Sequence, residues 1–77
     1  MDIIKKLEEY YNTELVYLKV GLDKEVDHLL RNDIAWFCVQ RCLGAAQFAN
    51  SCGADFGAVE AMFEGIKEKI AEMENGA

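Results

Sequence analysis

Three cysteines and one histidine carry the sharpest chemistry this chain could perform. Cys38 and Cys42 stand one helical turn apart, and His28 or Cys52 would have to complete a zinc shell around them. Structural zinc sites draw CxxC pairs from turns, whereas CxxxC inside an apolar segment lacks that form. A Cys38–Cys42 disulfide is disfavoured as well, because helical side chains one turn apart rarely reach bridge geometry. A plainer reading covers all three thiols. Ala35, Cys38, Cys42, Ala45, Ala49 and Cys52 recur at steps of three and four, a stripe of small residues along one helix. Free cysteine packs as a small hydrophobe, so Ala35, Cys38, Cys42, Ala45 and Ala49 form a candidate close-packing or dimer stripe. A cysteine-based metal or redox module is the sharper alternative.

Catalysis finds little to work with. His28 has no Ser or Cys partner in sight and suits a helix terminus, where the backbone dipole favours a cation. No glycine-rich phosphate loop or HExxH is present. The reading is a non-enzyme with no catalytic residue, no cofactor-binding residue and no metal ligand. Other candidates are surfaces. Ile3, Tyr10 and Tyr17 are spaced by seven on a flank of the first helix. Tyrosine at the edge of an apolar stripe suits a protein interface, joining contact area to a hydroxyl. Asp55, Glu60 and Glu64 form an outward acidic set, and Cys42 to Ile66 holds no Lys or Arg.

Three helices must position these groups. Among the 77 residues there is no proline, and β-branched residues never alternate over a strand's length, so the fold class is all-α. Ile4, Leu7, Tyr11, Leu15, Leu18, Leu22, Val26 and Leu29 keep a period of about 3.6. That stripe predicts one long helix over 2–31, with weak points at Asn12 and Gly21. Asn32 or Asp33 would cap a second, apolar helix over 33–50 with Trp36 in its core face. Gly53 marks a turn, and Asp55 caps a third, amphipathic helix over 55–74 whose apolar face begins at Phe56. A 28-residue first helix would be about 42 Å long and overhang a domain of this size. With the apolar surface of helix 2, this predicts a homodimer.

Ala49, Gly53, Val59 and Met62 are spaced in a pattern similar to the helix-turn-helix of small DNA-binding repressors. The resemblance covers about twenty residues and implies a helical corner whose second helix reads DNA. The residues that would face DNA are Asp55, Gly57, Glu60, Ala61 and Glu64. Readers offer Arg, Lys, Asn, Gln, Ser or Thr at such positions. Net charge is −6, with eight Lys and Arg against fourteen acids. Phosphate neutralisation supplies most nucleic-acid affinity, so nucleic acid is disfavoured and a protein with a basic surface is the better match. No run of about 18 apolar residues exists to span a membrane. An odd number of cysteines and an N-terminus without signal-peptide character suggest a cytoplasmic protein. The expected function is a small acidic regulator or inhibitor acting through protein–protein contact. A specific version is a phage or mobile-element inhibitor of a nucleic-acid-binding enzyme. A helix-turn-helix transcriptional regulator is the alternative.

Overall fold

The computed structural model describes residues 2–76. The described chain is all-helical: α1 (Ile3–Lys24), α2 (His28–Ser51) and α3 (Phe56–Asn75). Each helix packs on the other two, in a rod of 40 × 17 × 16 Å.

An aspartate starts every helix. Asp2 accepts a hydrogen bond from the Lys5 N–H, Asp27 from Leu29 and Leu30, and Asp55 from Ala58. Each carboxylate satisfies amides that the first turn leaves without a partner and sits at the positive end of the dipole.

The first helix ends earlier than the apolar stripe predicts. α1 stops at Lys24, the connection is Glu25–Val26–Asp27, and Asp27 rather than Asn32 or Asp33 caps α2. Glu25 turns its own carboxylate onto the Val26 and Asp27 amides, at 3.1 and 3.0 Å. Arg31 then reaches back and donates to the carbonyls of Leu22 and Glu25, and to Glu74 at the end of α3. A guanidinium has the donors to serve the open carbonyls of two helix ends at once, where the dipoles also favour its charge. Val26 and Leu29 keep the phase of the stripe but not its burial: Val26 is 93% exposed. Folding back at residue 25 lets α2 run along the length of α1, where Leu7, Tyr11, Leu18 and Leu22 are buried. Neither Asn12 nor Gly21 breaks α1. At 22 residues α1 is about 33 Å long and lies within the rod, so the overhang argument for a dimer falls.

The α2–α3 corner follows its predicted chemistry. Gly53 has φ +91°, and Gly53 N–H donates to Asn50 while Ala54 N–H donates to Ala49, both at 3.1 Å. This pair of bonds closes a helix end in the Schellman manner, with glycine at the left-handed residue. The corner is nevertheless not a crossing of the helix-turn-helix kind. α2 and α3, about 36 and 30 Å long, cannot lie across a rod 17 Å wide. They run side by side as an αα-hairpin.

α2 packs its small residues inward and its large ones outward. Ala35, Cys38, Cys42, Ala46 and Ala49 are buried, with both thiols at 0% exposure, while Leu29, Leu30, Trp36, Phe37 and Phe48 are exposed. Small inward side chains let α1 and α3 approach closely, and Leu18, Val59 and Ile70 fill the space between them. Trp36, expected in the core, is 55% exposed because its side of α2 lies along the margin with α3. Phe56 is likewise outside, at the first turn of α3, whereas Val59, Ile66 and Ile70 form its buried face.

Candidate functional site

The open side of the α1/α2 pair holds part of the chain's exposed apolar surface. On α1, Ile3, Tyr10 and Tyr17 recur every seven residues and so share a helix face. On α2, Phe37, Arg41, Gly44 and Phe48 follow at steps of four, three and four. Between them lies a groove of about 730 Å³ lined by Ile3, Leu7, Tyr10, Ala45, Phe48 and Ala49, with Gly44 and Cys52 at its edge. α3 contributes no residue to this groove. Among the described residues, Lys6 and Arg41 are its charged lining.

A half-buried ion pair stands at the side of the groove, with its carboxylate inside and its guanidinium partly in solvent. Glu14 is 7% exposed, and the single Nε–H of Arg41 is shared between its two oxygens at 3.0 and 2.9 Å. Cys38 Sγ donates to the same carboxylate at 3.8 Å. Burial pulls the Arg41 guanidinium toward losing its proton, but the hydrogen bond and charge of Glu14 more than offset this and raise it. Burial and then the Glu14 charge raise the Tyr10 phenol. Tyr11 donates its hydroxyl to the Cys42 carbonyl at 3.4 Å, and burial pushes its ionisation up to about 12.

The two buried thiols share one proton environment. A hydrogen bond from Cys42 lowers Cys38, outweighing burial, and the same bond followed by burial raises Cys42. Both are sealed from solvent, so any thiolate formed there has no access to a substrate. Among the described residues, no three His, Cys, Asp or Glu side chains gather to hold a metal. His28 is the first residue of α2, exposed at the positive end of that helix rather than at the end where the dipole favours a cation, and Cys52 is exposed at its other end.

The candidate residues fall into three places. Tyr10 lines the groove, and Tyr17 continues its face two turns along. Ala35, Cys38, Cys42 and Ala49 pack within the bundle rather than toward a second copy, and Ala45 reaches the groove floor. Asp55, Glu60 and Glu64 lie on α3. Asp55 is occupied as a cap, Glu64 pairs with Lys67 at 2.8 Å, and Glu60 is exposed beside them. Glu68 and Glu72 extend this ridge at steps of four. The tyrosines and the acids therefore belong to separate faces.

Sequence reasoning missed Glu14 and Arg41. The available signal was an acid at a stripe position of α1, between Tyr11 and Leu18, and the lone cation within the apolar part of α2. No family model matches the chain, and no curated protein or solved structure matches it either. Among the described residues, no helix is long and apolar enough to cross a membrane.

Proposed function

We propose that this chain is a non-enzymatic helical protein that acts through protein–protein contact as a regulator or inhibitor. The observation that carries the reading is the amount of large apolar surface left in water, at Leu29, Trp36 and Phe56 as well as at Tyr17, Phe37 and Phe48. Contiguous exposed aromatic surface marks interaction sites in small soluble domains. The acidic ridge Glu60, Glu64, Glu68 and Glu72 suits a partner with a basic surface, such as the groove of a nucleic-acid-binding enzyme. DNA itself is a poor fit, since the outward side of α3 would set carboxylates against phosphates.

The test is capture of interacting proteins from the cells that make this chain, followed by purified binding. Affinity for the captured basic protein should fall with salt and collapse in Glu60→Lys/Glu64→Lys/Glu68→Lys. Binding that ignores both the charge reversal and salt would refute the electrostatic part. Failure to recover any interacting protein would count against the function.

A further inference from the structure

We propose that the α1/α2 face is closed by a second copy of this chain, with the two α2 helices antiparallel about a twofold axis beside Arg41. The proposal rests on the reading above that the protein works by contact, and it names the occupant of the apolar face.

Area is the first argument. Tyr10, Tyr17, Phe37 and Phe48 are each more than a third exposed, and together they leave roughly 450 Å² of side chain in water at the usual size of an aromatic residue. Each side of a stable interface covers about 800 Å², so four residues already supply more than half.

Shape is the second argument. A twofold interface must be self-complementary. This face has a projecting ring at one end, Phe37, braced edge-to-face by Trp36 at 5.3 Å. At the other end it has the open groove. An antiparallel crossing between positions 40 and 41 brings Phe37 of one copy opposite Gly44 of the other. Gly44 sits exposed in mid-helix, and a β-carbon built there meets nothing within 4 Å. Glycine in a helix interior is less stable than alanine, and nothing inside the monomer requires it here. A ring from a second copy, lying over the bare backbone between Tyr10 and Phe48, gives the position its reason.

Charge is the third. Two chains of −6 repel, but the glutamate ridge is on α3, away from this face. Arg41, nearest the axis, is already neutralised by Glu14.

Sedimentation equilibrium of the full chain tests the arrangement. Wild type should sediment at twice its 8.7 kDa mass, with a Kd in the micromolar range or below. Gly44→Leu, whose β-carbon meets nothing within 4 Å in the monomer, should keep the helical circular dichroism and sediment as a monomer. Phe37→Ala should weaken the dimer by about 30-fold, the loss typical of a central aromatic anchor. Glu68→Lys, on α3, should leave it unchanged. A monomeric wild type at about 200 µM, well above that range, overturns the proposal. So does a dimer indifferent to both Gly44→Leu and Phe37→Ala. The two readings fail separately: a monomer that still captures a basic protein through α3 sinks only the dimer, and a dimer that captures nothing sinks only the regulatory function.

Discussion

Removing Arg41 should destabilise the bundle far more than removing the carboxylate it serves. In Arg41→Ala, Glu14 keeps its place in the α1/α2 seam but loses the guanidinium charge and the N–H shared between its two oxygens. Breaking one side of a fully buried pair costs about 3–5 kcal/mol. Arg41 is half in solvent, so water can enter beside the carboxylate, and the expected cost falls to about 2 kcal/mol. For a domain of this size that lowers Tm by about 8–16 °C. Glu14→Leu removes the buried charge and lets Arg41 extend into water along its own stem. Its cost should stay below about 1 kcal/mol, as apolar replacements of buried charges often do. Thermal melts followed by circular dichroism at 222 nm, with the double variant closing the cycle, measure the coupling. Arg41→Ala within about 0.5 kcal/mol of wild type, the range of an ordinary surface change, would refute the idea that Arg41 is what satisfies the buried Glu14 carboxylate.

Three further outcomes follow from the same geometry. Asp27→Ala should cost about 1 kcal/mol through loss of the α2 cap, whereas Asp33→Ala should cost little; the reverse ranking in melts would restore the longer first helix. A thiol reagent should modify Cys52 at once, and Cys38 and Cys42 only after denaturant is added; three fast thiols would contradict the packing. Stability should decline between about pH 10 and about pH 12: the unfolded Tyr11 phenol ionises near 10 and the folded one near 12, so the unfolded chain releases its proton first. Tyr11→Phe should flatten that decline in melts taken across the window.

Much of the architecture was legible because local chemistry punctuates it. Gly53 and Asp55 are strong signals, and the α2–α3 corner lies where they put it. The α1–α2 boundary was not legible for the opposite reason. No glycine or proline marks Glu25–Val26–Asp27, and Val26 and Leu29 happen to continue the phase of Leu22. Phase reports only where a side chain would point if the helix continued. The Glu14–Arg41 pair joins residues far apart in sequence, so it depends on how α1 docks against α2. α2 is apolar nearly all round, so its pattern could not say which residues lie inside. The small-residue stripe carried that information in part: Ala35, Cys38, Cys42 and Ala49 are inside, but Ala45 is half-buried, Cys52 is exposed and the buried Ala46 lies outside the stripe.

Central to this account is a division of labour: an apolar α1/α2 face for a second copy and an acidic α3 ridge for a basic partner. Nitrogen-15 NMR spectra of the labelled chain test it most directly. On dilution through the dimer–monomer transition, amide signals around Tyr10, Phe37, Gly44 and Phe48 should move while those of Glu60, Glu64 and Glu68 stay still. Addition of the captured basic protein should shift the second set and spare the first. Dilution shifts centred on α3, or no shifts on either face under both conditions, would contradict the account.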